Sequence, residues 1–449
     1  MTLLLVPHEV GTDQVEIWVG AIDEPGLDAA RLAVATIGGP VPTTVGQWDK
    51  VIAAGERSIA YRRVPIGGLA THTRFRFELL RDGVVVPGAS ATAWTLPDHL
   101  PTLEERPFTV LLGSCFARAA DGAGNVGRAY SLLPADARPD VKILCGDQVY
   151  LDSPWMEFVF RSHDEENLRR RHLGNYAQAW TQAGGFRELL RDGGTYFSSD
   201  DHDFWNNAPN ATAIARDTWS ENGRNAWKKV ATELYEAFQR AARPGSIFGV
   251  DRLSFFVADT RIARTDGKTA FADPAELTRI EAWARNLTGP GCLVLGQLLF
   301  SGESGFKGDL MDYGLPDYGQ YPQLVEALIG APHSIVILTG DVHYGRVAVC
   351  HVEPGRDIVE IVASPLSLVS RFPSNTWHAA PPEFPSKAFL GVVRRPVQTA
   401  EAFRLNANQF TTIAFSQSGA FVRMLIQAWP VETKGRAPAP SHTFEYSVR

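Results

Sequence analysis

Sulfur is scarce in this 449-residue chain, with four cysteines and four methionines. Cys115, Cys145, Cys292 and Cys350 stand far apart and none belongs to a CxxC pair. That spacing excludes a disulfide framework and a zinc finger. An excess of cationic residues is also missing. Lys and Arg total 43 against 50 Asp and Glu, a net charge of -7, which argues against a broad grip on nucleic acid or anionic lipid. No window approaches the roughly 18 apolar residues of a membrane span. The start, MTLLLVPHEV, lacks a basic leader and a twin arginine, so a cytoplasmic location is expected. No internal repeat is present. Apolar residues are not lacking: they make up 45% of the chain, enough for a sizeable core. At about 100–200 residues per domain, two or three domains are expected.

Residues 1–100 read as β structure. VEIWVGA (15–21) alternates, FRFELLRDGVVVP (75–87) has Asp82-Gly83 where a hairpin would turn, and ATAWTLP (91–97) reads as a last strand. DHLPTLEERP is a linker by its prolines and polar residues. The expectation is a small β-sandwich, fibronectin- or immunoglobulin-like, over 1–100. A second domain would span 105–430, and residues 431–449, rich in Lys, Arg and Pro, would form a peripheral tail.

From residue 107 strands and helices alternate. FTVLLGSCF, DVKILCGDQVY, LSFFVADTR, CLVLGQLLF and SIVILTGDVHY are apolar runs, most of them ending in polar residues. Buried strands look like this when they deliver side chains at their C-terminal ends. Residues 225–242 repeat apolar positions at helical spacing. Residues 273–287 open with Asp273, Pro274 and Glu276, an N-cap, a first-turn proline and a capping-box acid. The long Gly-, Asp- and Tyr-rich segment 301–321 reads as a functional loop.

The strand and loop ends carry the chemistry: GSC (113–115), GDQVY (146–150), DDHDFWNN (200–207), ADTR (258–261) and GDVHY (340–344). Each has a bland reading. Cys115 alone is a small buried hydrophobe, Tyr150 a rim aromatic, Arg261 a structural ion pair and DDHD a solvated loop. Phe204 and Trp205 beside DDHD point to burial instead, and buried carboxylates need a counter-charge. Gathered at one sheet edge, these residues would serve two cations, the arrangement used for in-line phosphoryl displacement.

The order of these motifs resembles the PhoD-type alkaline phosphatases of the calcineurin-like metallophosphoesterase superfamily, whose usual pattern is close to SC, GDxxY, WDDHExxNN, DTR and TGDVHY. The match spans about 107–370. It implies an α/β fold: a four-layer α-β-β-α metallophosphatase sandwich behind the β-domain. It also implies a phosphoric ester hydrolase that cleaves small phosphate mono- or diesters with a metal-activated hydroxide. By resemblance, Cys115 and Tyr150 would ligate one ion as thiolate and phenolate, and Asp147 would bridge to the second. Asp341 and His343 match the last metal motif. Asp200 and Asp201 would hold the second cation region, with an amide oxygen from Asn207 or Asn206. The implied ions are Fe3+ with Ca2+, with a Mn2+, Zn2+ or Mg2+ pair as the alternative. His202 would act on the leaving group, Asp203 would orient it, and Arg261 would meet a phosphate oxygen. The sequence departs from the pattern at Ser199, where the family often has tryptophan, and at Asp203, which is shorter than the usual Glu. Two rivals stay open: a metal-dependent hydrolase of another substrate, and a metal-stabilised binding protein.

Overall fold

Alternating burial in the first hundred residues produces two four-stranded antiparallel sheets. The computed structural model describes residues 2–240, 245–304, 312–368, 376–432 and 439–449. One sheet runs in the order Thr2–Val10, Gln14–Ile22, Arg57–Gly67, Lys50–Ala54; the other runs Thr43–Thr44, Leu32–Thr36, Arg74–Arg81, Val84–Trp94. Asp82 and Gly83 join the expected hairpin with φ of 52° and 80°. Two left-handed central residues are what its two-residue turn needs, which explains the Asp-Gly pair. ATAWTLP is not a separate strand: its first four residues finish Val84–Trp94.

Two larger mixed sheets follow. In the first, Gly194–Ser198, Val141–Cys145 and Phe108–Gly113 are parallel neighbours. Gln409–Ser418, Phe421–Pro430 and His442–Val448 extend it antiparallel. In the eight-stranded second sheet, Leu253–Val257, Gly291–Val294, Ile335–Thr339 and Arg356–Val362 are parallel. The tail expected to be peripheral therefore returns as an edge strand, His442–Val448. Its alternating HTFEYSV carries the signal that its Lys, Arg and Pro neighbours hid.

The apolar runs of these strands bury both faces. Val110, Leu112 and Ile143 join Phe255, Val294 and Leu338 in one cluster between the large sheets, which extends into the first hundred residues through Phe77 and Leu79. Leu111 and Leu144 point the other way, toward Tyr130, Leu173 and Leu234 on helices. On the second sheet, Phe256, Leu293 and Ile337 pack against Ile280 and Leu324 of two further helices. Side chains alternate across a strand, so a continuous apolar run requires cover on both sides.

The helix expected over 225–242 is Glu221–Phe238, begun by Ser220, whose Oγ accepts from Gly223 N at 3.1 Å. Residues 241–244 lie outside the described residues. In helix Pro274–Arg285, Asp273 caps Ala275 N at 2.8 Å as expected. Glu276 does not close a capping box: its carboxylate accepts from Gly245 N at 3.0 Å. Helix Glu165–Thr181 was hidden by its charged opening, EENLRRR. Trp18 ties the N-terminal sheets down, donating from Nε1 to Ala237 O at 2.8 Å and meeting Trp180 edge-on at 5.2 Å. Among the described residues no helix is long and apolar enough to cross a membrane.

His172 on helix Glu165–Thr181 is fully buried beside Phe158 and Trp227, and among the described residues neither ring nitrogen has a hydrogen-bond partner. Burial pushes its pKa down to about 3, with His163 and Arg171 adding to the effect. Unfolded, the ring would take up a proton near pH 6.5. Between about pH 6.5 and 3 the unfolded state therefore binds more protons, and stability falls as pH falls. Replacing His172 with Phe is expected to flatten this acid limb by up to about 1 kcal/mol per pH unit. Chemical denaturation at pH 7 and pH 5 measures it; equal acid loss in both proteins contradicts it.

Candidate metal centre

Three parallel strands of the first sheet end at one rim in Ser114-Cys115, Gly146-Asp147 and Ser199-Asp200. Parallel strands of the second sheet bring Asp259, Asp341 and Ser364 to the same place. Two glycines let these loops touch. A Cβ on Gly146, whose φ is 89°, would lie 2.3 Å from Asp200 Cβ. One on Gly340 would lie 2.2 Å from Ser114 Oγ, across the two sheets. Of ten non-glycine residues with left-handed φ among the described residues, five are Cys115, Asp147, Asn207, Asp341 and His343. Each such conformation costs on the order of 1–3 kcal/mol and persists where the surroundings impose it, often at functional sites. All five are residues that the motif order singles out.

The side chains converge on Asp147. Its Oδ1 accepts from His202 N at 3.0 Å, and its Oδ2 lies 3.6 Å from Cys115 Sγ and 3.4 Å from Tyr150 Oη. Ser364 Oγ approaches Cys115 Sγ at 3.2 Å, and Sγ lies 3.4 Å from Asp341 O. Two groups bring their donor atoms within 4.8 Å of one another: Asp147, Asp201 and His202, and Asp200, Asp201 and Asp341. Asp201 is common to both, so two ions held there would be neighbours. Asn207 N donates to Asp201 Oδ2 at 2.6 Å. His343 N donates to Ser364 Oγ at 3.2 Å, and its ring belongs to neither group.

Burial and mutual repulsion make this cluster unfavourable without cations. Burial, then Asp201, pushes the Asp147 carboxyl well above the usual range, and burial with Asp200 and Asp201 does the same to Asp341. Burial, then Asp147, raises the Cys115 thiol; burial, then Cys115 and Asp147, raises the Tyr150 phenol. Asp200 is pushed up to about 7 by burial, with Arg261 opposing and Asp201 adding. A bound cation reverses this logic, because it favours every ionised form at once.

Two role expectations need correction. Asp203 does not orient His202. Its buried carboxylate accepts from Asp147 N at 2.8 Å, Gln148 N at 3.2 Å, Asp200 N at 3.1 Å and Gln239 Nε2 at 3.0 Å. The DHD residues form a 3-10 turn, Asp201–Asp203, where successive side chains diverge by about 120°. The partner of His202 is Asp152, which sequence reasoning missed: Nδ1 lies 2.9 Å from Asp152 Oδ2. Burial opposes protonation of His202, but Asp152 and Asp201 overcome it and raise the ring's pKa well above its ordinary value. The ring also stacks on Tyr150, centroids 4.1 Å apart. Asp152 sits two residues beyond Tyr150 in GDQVYLD, the signal that was available.

Arg261 takes the structural alternative. Buried, it forms a short ion pair with Asp200 and bonds Asp312 Oδ2 at 2.8 Å and Ala208 O at 2.7 Å. No group on the guanidinium is left for a phosphate. Asp200 thereby loses one oxygen to Arg261, while its buried Oδ2 has no hydrogen-bond partner among the described residues. That orphaned oxygen, facing two further carboxylates, fits a cation. Tyr313 and Tyr318 are buried core residues, and Trp377 donates to Gly345 O at 3.1 Å under Arg404. Of the loop 301–321, residues 305–311 lie outside the described residues.

No protein-family model matches the sequence, and no curated protein matches it. Solved structures do. The chain matches the structure of PhoD with a TM-score of 0.66 and 15% identity, over 99% of this chain and 91% of that one. It matches the purple acid phosphatase PPD1 from yellow lupin (Lupinus luteus) seeds with a TM-score of 0.58 and 11% identity, over 98% and 73%. The fold is that of PhoD and the lupin phosphatase. The motif order thus led to the right fold across identities too low for sequence comparison. In this PhoD-like fold the convergent acids sit where strand ends meet, the usual ligand position of open α/β sheets.

Proposed function

We propose that the chain is a metal-dependent phosphoesterase of the PhoD type, acting on phosphate mono- or diesters. The observation that carries this reading is the pair of donor groups sharing Asp201 at the strand ends of a PhoD-like fold. The finer architecture belongs to the same reading: an α-β-β-α sandwich over 105–430, behind an N-terminal β-sandwich over 1–100. Cys115, Tyr150 and Asp147 would hold a ferric ion, since thiolate and phenolate suit it. Asp200, Asp201, Asp341 and the Asn207 amide oxygen suit a hard Ca2+ ion, with His343 at the edge of the pair. Mn2+, Zn2+ or Mg2+ pairs remain chemically compatible with the oxygen donors.

Bound there, the ions would polarise the phosphoryl oxygens and lower the pKa of water. The protein supplies the rest. Asp152 fixes the His202 tautomer and Tyr150 fixes the ring plane, so His202 is held ready to give a proton to the leaving oxygen. Asp203 holds the Asp147 and Asp200 loops together through their amides. Arg261 offsets the Asp200 charge.

Hydrolysis of p-nitrophenyl phosphate and bis-p-nitrophenyl phosphate tests the reading. Turnover is expected, lost on exhaustive chelation and restored by added ions. A rate that survives complete metal removal contradicts it.

A further inference from the structure

Beside the metal centre lies a cavity of about 730 Å³, and Tyr150, Asp152 and His202 form one of its walls. Facing elements contribute Trp155, Arg118 and, from helix Glu165–Thr181, Arg170 and Arg171; Glu56 and Arg57 come from a turn of the N-terminal sheets. A small phosphate ester leaves such a volume mostly empty, whereas ligand pockets for larger molecules run to roughly 300–1,000 Å³.

The charges that line this cavity are not all paired. Arg57 is tied to Asp23 at 2.6 Å, Arg171 to Glu157, and Asp152 to His202. Arg170 bonds only the neutral Asn167 Oδ1, at 3.1 Å. Arg118 is exposed and, among the described residues, makes no side-chain hydrogen bond or ion pair. Glu56 pairs with neither. Among the described residues, two guanidiniums without a charged partner thus line the cavity against one such carboxylate, in a chain whose net charge is -7. Trp155 lines the cavity and is 57% exposed, while Trp18, Trp180, Trp205 and Trp227 are fully buried. An exposed indole offers a flat face for stacking, and guanidinium forks suit phosphate.

We propose that this cavity receives the leaving group, and that it selects phosphoesters whose leaving group carries a flat ring and a second anionic group. The inference rests on the phosphoesterase reading, because a proton donor must sit beside the leaving oxygen and His202 lines this cavity. Arg118 and Arg170 bind the second anion, and Trp155 covers the ring. The turn at Glu56 and Arg57 gives the N-terminal sheets a part in substrate selection.

Adenosine 3′,5′-bisphosphate and p-nitrophenyl phosphate separate the cases, since only cleavage of the 3′-phosphoester of the former releases a leaving group, AMP, with a purine and a second phosphate. Arg118→Ala and Arg170→Ala are each expected to raise the KM for adenosine 3′,5′-bisphosphate, relative to that for p-nitrophenyl phosphate, about tenfold. Trp155→Ala should weaken AMP binding about fivefold, with a smaller change in the KM ratio because p-nitrophenol also carries a flat ring. AMP affinity, measured by calorimetry without turnover, should fall in proportion in the two arginine variants. Arg423→Ala, paired with Glu445 on a distant hairpin, is the control for charge loss. Ratios and AMP affinities within twofold of wild type in all three variants overturn the inference while the phosphoesterase reading stands. No turnover of p-nitrophenyl phosphate by metal-loaded wild type overturns that reading, and with it the leaving-group assignment.

Discussion

Asp147→Asn is expected to lower kcat for p-nitrophenyl phosphate on the order of 1000-fold. The substitution keeps shape, and Asn tolerates the left-handed φ of 59° at this position. It removes one charge from the place where Cys115, Tyr150 and the shared carboxylates converge. The same variant should be more stable than wild type when both are stripped of metal, because a buried carboxylate repelled by Asp201 and Asp200 is destabilising there. Steady-state kinetics with added ions and thermal melts in chelator measure the two effects. A variant that loses activity through misfolding would melt lower in chelator, the reverse of the expected sign.

The second large effect concerns His202. His202→Gln is expected to lower kcat by about 100- to 10,000-fold. Asp152→Asn should cost about 10- to 100-fold, as for partners that orient a reacting group. Because Asp152 acts through His202 at 2.9 Å, the double variant should be no slower than His202→Gln alone. Additive losses would show that Asp152 acts elsewhere. Asp203→Asn provides the contrast. Its carboxylate holds three backbone amides and Gln239, so its main effect should be a lower melting temperature.

The contrast between Asp152 and Asp203 shows where sequence reading stops. The motif residues were legible because buried strands end abruptly in Asp, Cys or His, and that pattern is local. The Asp82-Gly83 turn and the helix around Trp227, Val230 and Leu234 were legible for the same reason. Pairing between side chains was not. Asp203 adjoins His202 in the chain, but the tight turn sends the two apart, and the true partner lies 50 residues earlier. Arg261 and Asp200 are 61 residues apart and meet only because parallel strands from two sheets end at one rim. The cavity was also beyond the sequence, since its walls come from an N-terminal turn, a strand-end loop and a helix hidden by charge. The edge strand His442–Val448 was legible by alternation and was passed over for its composition.

The central claim is that side chains from both large sheets hold two neighbouring cations through Asp201. Elemental analysis of protein reconstituted and dialysed free of loose ions tests it most directly. Wild type should retain two equivalents of metal, with iron among them and a visible charge-transfer absorption from Tyr150 and Cys115. Asp201→Ala should lose at least one equivalent and most of its phosphatase activity. An active wild-type enzyme that retains no metal, or an Asp201→Ala variant with full metal content and full rate, would contradict the account.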